Sequence, residues 1–294
     1  MISIFAKRAF LNINPHEPFA ERTKPLRAGR GHLLRVSSTI RGEQVAEQIG
    51  AKFNPESGYE NDVCIYVKPY FKKGQDAKND TKFEGKPYLD MLDGHNLAQL
   101  VERHPEVTVI VCSQADYDLM TTVISNKIIL IPQHHCNFER VSKVREEVTT
   151  VGCIGTRLAF PYLPEDLKKE LAKRKMKLIE FSRFFTRQDI IDFYLKIDVQ
   201  IVWRPYKKIL SNPLKLVNAA SFGIPTIALD ENAFKELKGY YLPVKTLDEF
   251  LAELDKLRDS PSLYAKYSDK CLKKAEDYHI EKIGEMYKKL DNGI

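Results

Sequence analysis

The chain of 294 residues is short of several features at once, and each shortage removes a class of protein. Its five cysteines (Cys64, Cys112, Cys136, Cys153 and Cys271) are scattered, without a C-x-x-C pair or an even-numbered framework. That argues against a disulfide scaffold and for buried thiols in a reducing, cytoplasmic setting. No stretch approaches the ~20 consecutive apolar residues that span a bilayer. The opening MISIFAKRAF has a brief apolar run and no small-residue cleavage site, so a secretory leader is not expected. There is no P-loop, no H-E-x-x-H, no kinase signature and no Ser/His/Asp order, which leaves hydrolase and kinase chemistry without support. A single Trp with 43% hydrophobic and 29% charged residues describes a soluble globular protein.

What is present starts with charge. The net charge of +6 is uneven: residues 1–45 carry eight Lys/Arg against three Glu. That balance suits an anionic partner (phospholipid headgroups, nucleic acid or a phosphorylated substrate), or a solvated arm. After an irregular start, the pattern predicts strands at 31–38, 62–68, 87–94, 107–114 and 127–133 with helices between several of them. A polar linker follows at 135–147, and the pattern restarts with strands at 148–156, MKLIEFS, 199–203, 225–229 and 240–244. Helical stretches at 246–258 and roughly 260–290 close the chain. Helices alternating with short apolar strands indicate parallel sheets covered on both faces. The expectation is an α/β protein of two Rossmann-like parallel-sheet domains, residues 1–147 and 148–294, facing a cleft. Ligands of such sheets bind beyond the strand C-termini, and clefts between domains are common pocket sites. The candidate positions are therefore Ser38 to Gly42, Asp93 to His95, Gln133 to His135, Gly155 to Arg157, Arg204 and the turn from Ser211 to Lys215.

The most informative stretch is SNPLKLVNAASFGIPTIALDE, residues 211–231. It predicts a helix beginning at Pro213, ending at Gly223 and leading into a buried strand. Ser211 or Asn212 suits the N-cap and Pro213 the first helical position, so the amides of Leu214 and Lys215 would point into the cleft as an anion site. A lysine is unfavourable there, because the helix N-terminus is already the positive end of its dipole. A diphosphate held between the two would resolve the conflict; the alternative is an exposed lysine costing roughly a few tenths of a kcal/mol. Asn218 lies one turn along on the same face, within reach of a ribose hydroxyl. The glycine turn GCIGT (152–156) would offer a second backbone surface to phosphates, although many turns of this kind contain Gly. His134, His135 and Cys136 alternate in direction along an extended segment and do not converge on one ion, and no second cluster has zinc spacing. Asp93 and His95 stand at a strand end, as a general base or as a polar turn in which Asp93 caps the next helix.

These segments together resemble the GT-B glycosyltransferases, especially the large family-four, nucleotide-sugar-dependent, retaining group, over residues 33 to 290 or so. NKIILIPQHHCNFER is similar to that family's segment entering the second domain. EFSRFFTRQDIIDFYLKIDVQIVWRP resembles its base-side turn, helix and following strand. NPLKLVNAASFGIPTIALDE resembles its -PLKLLEAMACGKPVIATD motif, and the closing helices resemble a C-terminal pair whose last member packs back on the first domain. The resemblance implies that Lys215 is the donor-diphosphate lysine and that Asn218 occupies the ribose-binding glutamate's position. It places Phe184 and Phe185 near the nucleobase, Gly155 and Thr156 near the phosphates, and Asp93 and His95 on the acceptor side. Arg204 would be a further phosphate partner, with Ser211, Asn212 and Leu214 completing the donor turn. Arg35, Ser38 and Arg41 are the acceptor-side candidates. Two departures stand out: the family's paired glutamates fall at Leu210 and Asn218, and its glycine-rich loop is replaced by SSTIRGEQ.

The implied activity is transfer of a sugar from a nucleoside-diphosphate sugar, metal-independent and retaining, with no cofactor beyond the donor substrate. Lys215, Arg204 and helix-end amides would stabilise the departing diphosphate. The alternatives are a GT-B-fold sugar-nucleotide epimerase, which should place carboxylates around the sugar, and a non-catalytic nucleotide-sugar or nucleic-acid binding module. The candidate acceptors left open are an anionic lipid, a glycan and DNA.

Overall fold

The computed structural model describes residues 1–6, 36–68, 83–92, 94, 97–143, 145–204 and 210–292. Its two sheets are parallel throughout. The first holds β1 (Ile2–Phe5), β2 (Lys52–Phe53), β3 (Val63–Val67), β4 (Lys86–Asp90), β5 (Thr108–Val111) and β6 (Ile128–Leu130), in the order β2-β1-β3-β4-β5-β6. The second holds β7 (Thr150–Ile154), β8 (Lys177–Phe181), β9 (Val199–Val202), β10 (Thr226–Leu229) and β11 (Leu242–Val244), in the order β11-β10-β9-β7-β8. Helices α1 (Gln44–Ile49), α2 (Ala98–Val101) and α3 (Gln114–Val123) belong to the first half; α4 (Leu167–Lys173), α5 (Arg187–Lys196), α6 (Leu214–Ser221), α7 (Leu247–Asp259), α8 (Pro261–Ala275) and α9 (Ile280–Lys288) follow.

Local chemistry explains most of these elements. All four residues of β9 are buried, as are four of the five in β3, the pattern of a strand covered on both faces. The helices start at side-chain caps. Ser113 accepts from the Asp116 amide, Thr246 from the Glu249 amide, and Thr186 forms a reciprocal capping box with Asp189. Pro261 occupies the first turn of α8 behind the Ser260 cap, and Gly50 ends α1 in the left-handed conformation that glycine adopts without strain.

Three expectations are corrected. The chain does not start irregularly: Ile2, Ser3 and Ile4 are buried in β1, which pairs with both β2 and β3. Four residues are too few for a periodic signal. The strand expected at 31–38 lies outside the described residues up to position 35, and Val36 to Glu43 is helical, with a π-helical turn at Ser38–Glu43. That turn is buried almost throughout, so it has no amphipathic period. At Gly42 a Cβ would come 2.9 Å from the Ala6 Cβ and 3.2 Å from the Phe53 ring, so only glycine lets the turn lie against the ends of β1 and β2. The helix expected over 260–290 breaks at Glu276–Tyr278, a 3-10 turn, and α9 then runs back across the first domain. Ile280, Ile283, Tyr287 and Leu290 pack into the core of the first sheet beside Ile4, Val45 and Ile65.

Candidate functional site

Strand order places the C-terminal ends of β7, β9 and the turn before α6 side by side, and they open onto a cleft of about 450 Å³ between the two halves. Among the predicted donor residues, Gly155, Thr156, Phe184, Phe185, Ser211, Asn212, Leu214, Lys215 and Asn218 all line it, and so does Arg204. Opposite them, the first domain contributes Val36, Thr39, Ile40, Gln44 and His134, and the linker contributes His135 and Cys136. Arg35, Asp93 and His95 lie outside the described residues.

Lys215 is half-buried in the first turn of α6, and a Cβ built on Gly155 would lie 3.4 Å from its Nζ. The ammonium therefore faces the glycine turn at the end of β7 across a gap that a side chain would close. A buried polar chain fixes this arrangement. The Tyr194 hydroxyl donates to Gln200 Oε1 at 2.9 Å, and the Gln200 amide donates to the Lys215 carbonyl and to Thr226 Oγ1, both at 3.0 Å. The glutamine thus ties β9 and β10 to the turn that carries the lysine.

The helix start differs from its expected form. Pro213 is the N-cap residue, and the amide oxygen of Asn212 accepts from the Leu214 amide at 3.2 Å, so that amide is already engaged and does not open toward the cleft. Arg204 is bound to Glu231, with Nε 3.0 Å from Oε1, and donates from Nη2 to Ser211 Oγ at 3.0 Å. Its charge is therefore shared with a carboxylate at the end of β10. Asn218, 8% exposed, accepts from the Cys136 amide at 2.9 Å and so fastens the linker to α6. The charged side chains among the described lining residues are Arg187, Arg204 and Lys215; the lining contains no carboxylate there.

Two acceptor-side expectations fail on burial. Arg41 is fully buried, donating from Nε to Asp90 Oδ2 at 2.7 Å and from Nη1 to the Pro132 carbonyl at 2.6 Å. The Tyr287 hydroxyl of α9 donates to the same carboxylate oxygen at 2.9 Å. Burial works against the guanidinium's charge, and Asp90 outweighs it, holding the Arg41 pKa above its ordinary value. Ser38 is also buried, and neither residue lines the cleft; their neighbours Thr39 and Ile40 do. Arg41 is a candidate from its place after the expected first strand, and nothing local shows that it will be buried against a carboxylate from β4.

Sequence reasoning also passed over Arg187, Asn137 and Gln200. Arg187 lies over the Phe138 ring at 4.5 Å and donates to the Cys136 carbonyl at 2.9 Å and to Glu139 at 2.7 Å. Asn137 donates to the Ser221 carbonyl at 2.7 Å and the Val141 carbonyl at 2.8 Å. Together they stitch the linker onto α5 and α6. Gln200 had a visible signal, a polar residue inside an apolar strand.

Burial pushes His134 down to about 4 and His135 down to about 3, so both rings are neutral at pH 7. His134 Nε2 donates to the Ile40 carbonyl at 2.8 Å, and His135 Nδ1 accepts from the Asn137 amide at 3.2 Å. The unfolded chain protonates these rings near 6.5 and the folded chain does not, so this stability is full above that pH and falls as pH drops. At about 1.4 kcal/mol per pH unit per ring, the two should remove about 4 kcal/mol between pH 7 and pH 5. Urea unfolding at the two pH values checks this; equal stability would contradict neutral rings. Burial likewise pushes Cys136 up to about 12 and Cys153 up to about 11, which leaves these cleft thiols protonated and unreactive.

No family model matches the chain. It is 31% identical over 130 residues, 42% of this chain, to an uncharacterized glycosyltransferase of Haemophilus influenzae. The match spans 36% of that relative, about a third of its length. Among solved structures, WaaG, a glycosyltransferase involved in lipopolysaccharide biosynthesis, superposes over 100% of both chains with a TM-score of 0.54 and 11% identity. Anabaena HepE, in complex with UDP and glucose, matches 67% of this chain and 66% of its own with a TM-score of 0.53 and 12% identity. TarM matches 79% of this chain and 55% of its own with a TM-score of 0.55 and 14% identity. The chain is thus similar in sequence to a glycosyltransferase and has the GT-B fold, two parallel-sheet α/β domains on either side of a cleft.

Proposed function

We propose that the protein is a glycosyltransferase that takes its sugar from a nucleoside-diphosphate sugar. Lys215 beside the Gly155 turn on the cleft wall carries this reading, because a cation and a close backbone approach are what a diphosphate needs. The donor lies on residues 148–294 and the acceptor on residues 1–147, with α9 returning to the first domain. Phe184 and Phe185 flank the nucleobase, Gly155 and Thr156 the phosphates, and Asn218 the ribose. The HepE complex with UDP and glucose supports UDP as the first nucleotide to try. Reaction follows from stabilising the departing diphosphate: Lys215 develops its full interaction only as charge accumulates on the leaving oxygen. Arg204, held between Glu231 and Ser211, is the second cation at that position. The described lining contains no carboxylate, and the chemistry rests on this leaving-group stabilisation, without a metal ion and with retention at the anomeric carbon as the resemblance to retaining glycosyltransferases implies. The same lack disfavours the epimerase alternative. Asp93 and His95 complete the acceptor side, and a cytoplasmic pool of sugar nucleotides supplies the donor.

The test is incubation with UDP-sugars. Slow release of UDP and of free sugar with its anomeric configuration retained supports the transferase. Release of nucleotide together with an epimerised sugar would make it an epimerase. Nucleotide binding without turnover across phospholipid, glycan and DNA acceptors would make it a binding module.

A further inference from the structure

The turn that carries Lys215 is held from two sides. Ser211 donates its amide to Asp116 Oδ1 at 3.1 Å, and its carbonyl accepts from the Ser113 hydroxyl at 3.1 Å. Both partners belong to the first turn of α3, in the other domain. On its own side, the Ser211 hydroxyl accepts from Arg204 Nη2 at 3.0 Å. Leu210, the residue before it, is 2% exposed and packs in the core of the first domain, in one cluster with Leu89, Met91 and Val109. The α3 start makes one further crossing contact: the Gln114 amide donates to Glu236 Oε2 at 2.9 Å, and Tyr278 donates to the same carboxylate at 3.2 Å.

We propose that Asp116 and Ser113 are positioning residues for the donor's diphosphate, and that Leu210 is the hook that keeps them on the donor turn. This rests on the reading of residues 211–215 as the diphosphate site. The position where the family resemblance leads one to expect an acid facing the sugar is here a leucine buried in the partner domain. The donor turn is consequently part of the domain interface. A state with the domains parted removes both backbone bonds from Ser211 and frees the segment that aims Lys215. Donor binding and domain closure are then one linked equilibrium, each favouring the other by the same factor.

The experiment compares UDP with uridine, which lacks the phosphates and so does not reach the turn. Affinities are measured by calorimetry for wild type, Asp116→Ala, Asp116→Asn and Ser113→Ala. Asp116→Ala is expected to weaken UDP about tenfold, and Asp116→Asn, which keeps an oxygen acceptor at the same place, to restore most of it. Uridine affinity should stay within about twofold in every variant. Ser113→Ala removes both the bond to the Ser211 carbonyl and the α3 cap, so the same direction of effect on UDP is expected together with a lower melting temperature. Equal weakening of UDP and uridine, or unchanged UDP affinity, overturns the positioning role while leaving the donor site standing. A wild type that binds no UDP, GDP or ADP overturns the donor-site reading and this inference with it.

Discussion

Lys215→Ala is expected to lower the rate of sugar transfer by roughly 10²–10³-fold, equivalent to about 2.7–4 kcal/mol of transition-state stabilisation. The loss should fall mainly on kcat, because the ammonium interacts most strongly with the diphosphate as it takes up the charge of the broken glycosidic bond. Stability should hardly change: Lys215 is half-buried at the cleft, and the first turn of α6 is fixed through its backbone carbonyl by Gln200. Lys215→Arg should recover only part of the rate. A guanidinium is broader than an ammonium, and the space beside the Gly155 turn is small enough that one added methyl group would already touch the Lys215 Nζ. Steady-state kinetics on the three proteins, with thermal melts as control, check both statements. A Lys215→Ala enzyme within threefold or so of wild type would remove the lysine from the mechanism.

Arg41→Met is the prediction with the largest effect on folding. The substitution strands Asp90 in a site with no exposure, and removing one partner of a buried pair typically costs about 3–5 kcal/mol. For a chain of this size that corresponds to a melting temperature lower by roughly 10 °C. The loss should also loosen the linker, because Arg41 holds the Pro132 carbonyl, and α9, because Tyr287 shares the Asp90 carboxylate. Adding Asp90→Asn to Arg41→Met should recover part of the stability, since the isolated charge is the main penalty. Urea unfolding of the two single variants and the double variant decides the matter: a single-variant cost below about 1 kcal/mol would mean that the pair is not buried in solution.

How much of this could be seen beforehand follows from where each signal resides. Strands buried on both faces, such as β9, announce themselves as apolar runs, and caps such as Thr186 and Ser260 sit at fixed offsets from the helices they start. The two parallel sheets and most helices were therefore legible. The cleft followed from strand ends, and Lys215 from its conflict with the α6 dipole. What stayed hidden depends on partners distant in sequence. Arg41 and Asp90 lie 49 positions apart, and Asp116 and Ser211 lie 95 apart. No local pattern says that an arginine will be buried or that Leu210 will leave its own domain. The capture of the Leu214 amide by Asn212 is hidden for the opposite reason: the two are only two positions apart, and several capping geometries fit the same residues. Asn218 lines the cleft, and its oxygen also accepts from the Cys136 amide, a linker contact that the helix alone does not reveal.

The most direct measurement uses the chain's single tryptophan. Trp203 lies at the end of β9 and lines the cleft beside Arg204, so its fluorescence reports occupancy without a label. Titration with UDP is expected to give a saturable change in wild type and a dissociation constant at least about tenfold weaker in Lys215→Ala, with both proteins melting at the same temperature. No change in wild type, or the same dissociation constant in both, would contradict a diphosphate site at Lys215.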